Sequence, residues 1–269
     1  MSSVESGYAD VNDTTIYYEI AGEGDPIVLV HGFTLDTRMW DDQFTEFSKR
    51  YKVIRYDARG FGRSSMPEEG KPYSHAKDLK ELLDHLNIRK ASVIGLSMGG
   101  SIAINFTLEY PDYVSSLITV DSVLDGFRWS SDFFEWFTSL FSIARQLGVE
   151  SAKEAFMNGA LFEPAMRNPL VAVRLRELIG SYSGWRFMND DPHESLDPSP
   201  NIRLHEIDCP TLVVVGEYDI ATFQGVADRI NNEVSNSSKV VIPRVGHMSN
   251  MEDPESFNRE VFSFLESLK

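Results

Sequence analysis

The sequence predicts an α/β protein: a mostly parallel, doubly wound sheet carrying a helical insertion. Three observations carry that expectation. Short apolar runs alternate with longer helical patterns along most of the chain. The alternation fails between Ser122 and Cys209, where helical periodicity continues without a convincing strand. Beyond Cys209 the alternation resumes.

Each element follows from its local pattern. Thr14–Ile20 ("TTIYYEI") alternates in polarity and reads as an antiparallel edge strand. Pro26–Gly32 ("PIVLVHG") is a buried strand ending at a glycine turn, and Tyr51–Asp57 ("YKVIRYD") is a second. Leu79, Leu82, Leu83 and Leu86 then recur at helical spacing. Ala91–Gly95 ("ASVIG") is a strand, followed by Ile102, Ala103 and Phe106 on a helix. Val114–Asp121 is the next strand. In the insertion, Phe133, Phe137, Leu140 and Ala144 share one helical face, which Trp136, Ile143 and Leu147 extend. Asn189–Asn201 is rich in Pro, Ser, Asp and Asn and reads as loop. Thr211–Asp219 and Ser238–Pro243 are strands, and an amphipathic helix covers about Pro254–Leu268. The expected division is a core formed by residues 1–121 and 210–269, interrupted by a helical insertion at 122–209.

Composition narrows the function classes. The 269 residues carry a formal net charge of −16, which disfavours nucleic acid and anionic lipid as partners. No stretch approaches the ~18 apolar residues of a membrane helix. The opening "MSSVESGYADVND" lacks a basic flank and an apolar core, so a cytoplasmic protein is expected. Cys209 is the single cysteine and reads as a small buried hydrophobe.

The stretch "VIGLSMGGSIA" (Val93–Ala103) sets Ser97 between Gly95 and Gly99 at a strand-to-helix junction. That is where a strained turn presents a serine hydroxyl above a sheet. Serine is a weak nucleophile at neutral pH and needs a base. Of six histidines, His75 and His85 lie in or beside a helix expected to be exposed. His193 and His205 stand in polar loops, and His31 follows a strand. His247 alone occupies a loop after a late strand, where open α/β sheets bind ligands. The orienting carboxylate is expected to be Asp219, in "VVVGEYDIAT", with Asp121 as its rival; Glu217 should point away.

Taken together, His31-Gly32-Phe33, "YDARGFGRS" (Tyr56–Ser64), Gly95–Gly99, "GEYD" (Gly216–Asp219) and "GHMSNMEDPESFNREVFSFL" (Gly246–Leu265) resemble the α/β-hydrolase superfamily, of the capped esterase and lactonase type. The resemblance implies an α/β-hydrolase fold with a helical cap. It implies Ser97 as nucleophile, His247 as base and then acid, and Asp219 as its orienter. It also implies an oxyanion hole from the backbone N–H groups of Phe33 and Met98, with Gly32 admitting the substrate carbonyl. His31 would be structural. "RGFGRSS" imitates a dinucleotide fingerprint, but Ser65 stands at its third glycine, so it should be a loop pinned by Asp57 and Arg59. No metal-ligand spacing occurs, and no cofactor or metal is expected.

The acyl group would be chosen by the insertion. Trp129 and Trp185 are the expected pocket residues, and Arg128 and Arg186 are the cations at hand for a carboxylate-bearing substrate. Three readings follow: a serine carboxylesterase for short to medium acyl esters, a lactonase or carbon–carbon bond hydrolase with the same triad, or a hydrolase-fold receptor with incidental turnover. The substrate is a small ester or lactone in the first two. The sequence leaves the oligomeric state open.

Overall fold

A computed structural model describes residues 4–269 of the chain. Its sheet has eight strands: β1 (Glu5–Val11), β2 (Thr14–Ala21), β3 (Pro26–Val30), β4 (Lys52–Tyr56), β5 (Ala91–Leu96), β6 (Val114–Val120), β7 (Thr211–Gly216) and β8 (Ser237–Ile242). The spatial order is β1-β2-β4-β3-β5-β6-β7-β8. β1 and β2 pair antiparallel, β2 meets β4 antiparallel, and every later pair is parallel. β5 and β7 are buried along their whole length, so they read as continuous apolar runs.

One strand expectation needs correction. Thr14–Ala21 is antiparallel, but it is the second strand of the sheet; β1 forms the edge. In β1 only Ala9 is buried. The strand is held by its backbone ladder to β2, running from Glu5↔Ile20 to Val11↔Thr14. An edge strand with one buried residue leaves almost no apolar alternation to detect.

The early helices are α1 (Asp41–Phe47), α2 (His75–His85) and α3 (Met98–Glu109). Ser74 caps α2 through a hydrogen bond from Lys77 N–H, and Leu79, Leu82 and Leu83 turn inward. Between β6 and β7 lie α4 (Ser131–Leu147), α5 (Val149–Met157), α6 (Glu163–Arg167), α7 (Pro169–Ser181), α8 (Trp185–Met188) and α9 (Pro200–Arg203). α10 (Ala221–Glu233) follows β7, and α11 (Ser249–Glu252) and α12 (Pro254–Ser267) close the chain. Among the described residues no helix is long and apolar enough to cross a membrane.

The glycine-rich loop after β4 is pinned as its residues predict. Asp57 accepts from the N–H groups of Thr37 and Arg63, both at 2.8 Å, and Arg59 pairs with buried Asp78 at 2.7 Å. No helix begins there.

Candidate active site

Ser97 sits between the last residue of β5 and the first of α3, with φ 55° and ψ −116°. A positive φ at a non-glycine residue is strained and persists only where the surroundings enforce it. The enforcement here is close packing. A Cβ on Gly95 would stand 2.0 Å from the Gly99 carbonyl oxygen, and one on Gly99 would stand 2.2 Å from that of Val30. Both flanking positions therefore require glycine. Ser97 N–H donates to the Val120 carbonyl at 2.9 Å, and the Ser97 carbonyl accepts from Val123 N–H at 3.0 Å. The turn is thereby bolted to the end of β6.

His247 follows β8 in a loop gripped from both sides. Glu252 accepts from Gly246 N–H at 2.9 Å and from Met248 N–H at 3.1 Å. The imidazole is buried, its Nδ1 lies 2.9 Å from Asp219 Oδ2, and the Phe223 ring packs on it at 4.3 Å between centroids. Its Nε2 is buried without a partner among the described residues. An imidazole held through Nδ1 by a carboxylate keeps Nε2 as the proton acceptor.

The rival carboxylate is committed elsewhere. Asp121 accepts from Gly216 N–H at 2.7 Å and from the Ser249 hydroxyl at 2.5 Å. Burial, reinforced by the neighbouring Asp219 charge, pushes its carboxyl well above the usual range. Glu217 turns away and accepts from Arg244 N–H at 2.7 Å. His31 is structural: its Nε2 accepts from Ala58 N–H at 2.9 Å, while Nδ1 lies 2.8 Å from the Gly32 carbonyl.

A small void of about 20 Å³ brings together Gly32, Phe33, Ser97 and His247. Met98 heads α3, so its N–H belongs to the first turn and lacks an intrahelical partner. Gly32 N–H is already directed at Met39 Sδ, 3.3 Å away. The Phe33 ring is surrounded by those of Phe61, Phe137, Phe156, Tyr182 and Phe187, at 5.6–5.9 Å between centroids. It thus ties the loop after β3 to the helices between β6 and β7.

The main cavity, about 180 Å³, opens beside Ser97 and Met98. One wall is aromatic, from Trp129, Phe133, Phe137, Phe156 and Phe223; the other carries His75, Ser101, Asn105, Asp125, Arg186 and His193. Trp129 also borders an outer groove of about 540 Å³ with Phe127, Arg128, Ser131 and Phe134. Trp129 is therefore the partition between cavity and groove. Trp185 is half-buried and lies outside the cavity wall, contrary to the expectation; it opens the four-residue helix α8, where its neighbour Arg186 takes the inward position. Arg128 borders only the outer groove. Arg186 Nε lies 2.8 Å from Asp191 Oδ2, a charge contact without hydrogen-bond alignment, and Nη1 points at Met98 Sδ, 3.8 Å away.

The family model of the alpha/beta hydrolase fold matches residues 25–254, the segment that carries the strained serine turn and the histidine–carboxylate pair. The chain belongs to the α/β-hydrolase family. Among its relatives, a 2-hydroxy-6-oxononadienedioate/2-hydroxy-6-oxononatrienedioate hydrolase of Comamonas testosteroni is 29% identical, over 93% of this chain and 91% of that protein. A thermophilic esterase from Thermogutta terrifontis superposes with a TM-score of 0.85 at 28% identity, covering 98% of this chain and 99% of its own. The enol-lactonase from Burkholderia xenovorans LB400 gives 0.82 at 25% identity, covering 97% and 100%.

In this α/β-hydrolase, sequence patterns missed the polar wall. His75 is buried at the start of α2 rather than exposed, and His193 stacks on it at 4.9 Å between centroids. Tyr73 lies 3.4 Å from His75 Nε2 and donates to Asp191 at 2.9 Å. Burial lowers the pKa of both imidazoles, assisted for His75 by His193 and for His193 by Arg186. The folded state thus resists protonation that the unfolded chain accepts near its ordinary value of about 6.5. The unfolded state binds more protons below that pH, so this contribution to stability is present above it and lost on acidification. Urea unfolding of the wild type should show stability falling between pH 7 and 5. In His75→Gln, which has nothing to titrate there, that fall should be shallower.

Proposed function

We propose that this α/β-hydrolase is a serine carboxylesterase acting on short to medium acyl esters. The observation that carries the reading is Ser97 in a strained turn beside a buried His247 whose Nδ1 is held by Asp219 and whose Nε2 is free. Ser97 Oγ attacks the ester carbonyl while His247 Nε2 takes its proton. The oxyanion is received by the N–H groups of Phe33 and Met98. The tetrahedral adduct collapses, His247 returns the proton to the leaving alkoxide, and an acyl-Ser97 intermediate results. Water, deprotonated by His247, then attacks the acyl carbonyl and frees the acid and Ser97. Asp219 orients the imidazole and stabilises its charged form.

Hydrolysis of 4-nitrophenyl esters with a pre-steady-state burst tests the reading: the burst reports the acyl-enzyme, and brisk sustained turnover after it separates a catalyst from a receptor with incidental turnover. A second reading, lactone or carbon–carbon bond hydrolysis by the same residues, is favoured by Arg186 in the cavity wall. Brisk enol-lactone opening with negligible ester turnover would select it.

The aromatic wall predicts chain-length selection. Each buried methylene contributes about 0.8 kcal/mol until the chain meets Trp129. For the wild type, kcat/KM on nitrophenyl esters should peak at short to medium acyl length. Trp129→Ala should move the optimum to longer chains by joining the cavity to the outer groove. Trp185→Ala, outside the wall, should leave it in place. A wild-type profile still rising at long chains would contradict this picture.

A further inference from the structure

Helix α3 carries a polar stripe on an otherwise apolar surface. Ser97, at its N-terminus, Ser101 and Asn105 follow at four-residue spacing, so they stack along one face. All three line the main cavity. Their neighbours Ala103, Ile104 and Phe106 are fully buried and apolar.

Asn105 is the residue this environment does not account for. It is 5% exposed. Its Nδ2 donates to Asp125 Oδ2 at 2.9 Å. That bond fixes the amide's orientation, because the reverse flip would set oxygen lone pairs against the carboxylate. Oδ1 is then the remaining acceptor, and it is buried with no hydrogen-bond partner among the described residues. A buried acceptor without a partner destabilises a fold. His247 Nε2 is another buried atom in this condition, and the proposed reaction gives it a proton to accept.

The cations do not serve this end of the cavity. Arg186 is directed at Met98 Sδ and lies 5.6 Å over the Phe33 ring, beside Ser97, with Asp191 against its Nε. What Asn105 and Asp125 offer is acceptors. We infer that the Asn105–Asp125 end of the cavity is a recognition subsite for a neutral hydrogen-bond donor, a hydroxyl or an amide N–H, carried on the substrate's acyl chain. The inference rests on the serine-hydrolase reading and specifies its substrate. The eight residues from Ser97 to Asn105 rise about 12 Å along the helix, which places the donor at the end of an acyl chain of roughly eight carbons.

The test compares 4-nitrophenyl 8-hydroxyoctanoate with 4-nitrophenyl octanoate, in wild type and in Asn105→Leu. In the wild type the hydroxy ester should have the higher kcat/KM. In Asn105→Leu the ratio of the two should fall about tenfold, the effect of one hydrogen bond to a buried group. Thermal unfolding of the variant reports whether it folds; if it does not, competition against the wild type decides. There 1,8-octanediol should inhibit more strongly than 1-octanol. An unchanged ratio in folded Asn105→Leu, equal inhibition by the two alcohols, or preference for an 8-ammonio ester over the hydroxy ester would overturn the proposal. Ser97→Ala separates the two claims. If it still hydrolyses both esters, the serine-hydrolase reading fails, whereas loss of both with no donor preference in the wild type defeats the subsite alone.

Discussion

Replacing Ser97 by alanine is expected to lower kcat on nitrophenyl esters by about 10⁴-fold or more, and His247→Ala should do the same. The Ser97→Ala/His247→Ala double variant should be little worse than either single one, because the two groups act on one proton and one bond. The strained turn makes the serine variant a clean test of chemistry. Alanine keeps the Cβ that already tolerates φ 55°, and the bonds from Ser97 N–H to Val120 and from Val123 N–H to the Ser97 carbonyl belong to the backbone. Circular dichroism should therefore match the wild type while the burst of nitrophenolate disappears. Near-wild-type turnover in a folded Ser97→Ala would remove the serine from the mechanism.

The second large effect distinguishes two carboxylates at neighbouring strand ends. Asp219→Asn should reduce kcat by several orders of magnitude, because an amide facing His247 Nδ1 can offer an N–H and turn the imidazole to the wrong tautomer. Asp121→Asn should cost activity only slightly. Asp121 receives Gly216 N–H and the Ser249 hydroxyl and does not touch His247. Its effect on stability has a definite sign. A carboxyl raised in the folded state keeps its proton while the unfolded chain ionises near 3.9, so stability declines as pH rises from there toward the folded value. An amide at this position does not titrate and has no such loss, so Asp121→Asn should gain stability relative to wild type at neutral pH, and the gain should vanish in acid. Severe loss of turnover in Asp121→Asn with a mild effect in Asp219→Asn would reassign the orienting residue.

The sequence disclosed those positions because each is bound to a local requirement. Gly95 and Gly99 announce a turn that no side chain fits, the loop of Asp219 follows the continuous apolar run of β7, and that of His247 follows the short run Val240–Ile242 that ends β8. The strand β1 had no such signal, since it is held by backbone pairing and buries only Ala9. Trp185 was misplaced because a four-residue helix has too little periodicity to say which way its first ring turns. His75, Asn105 and His193 were invisible for a different reason. They come from α2, α3 and the loop after α8, and only the tertiary fold assembles them around one cavity.

The chain leaves the sheet at Val120 and re-enters it at Thr211, and these belong to hydrogen-bonded neighbours, Val120 opposite Val214 and Thr211 opposite Leu117. The two junctions are therefore about 10 Å apart along adjacent strands. Closing a long excursion between such near points depends weakly on its length, about 0.6 kcal/mol for each doubling. Polymer statistics thus leave this segment free to lengthen, shorten or be exchanged without disturbing the strands beneath. Restraints on exchange come from side chains that reach into the segment: the Phe33 ring, which Phe137, Phe156, Tyr182 and Phe187 surround, and Asn105 and Tyr73, which donate to Asp125 and Asp191. A transplanted segment would inherit the sheet's strand ends, but it would have to bring its own aromatic socket for Phe33 and its own acceptors for Asn105 and Tyr73.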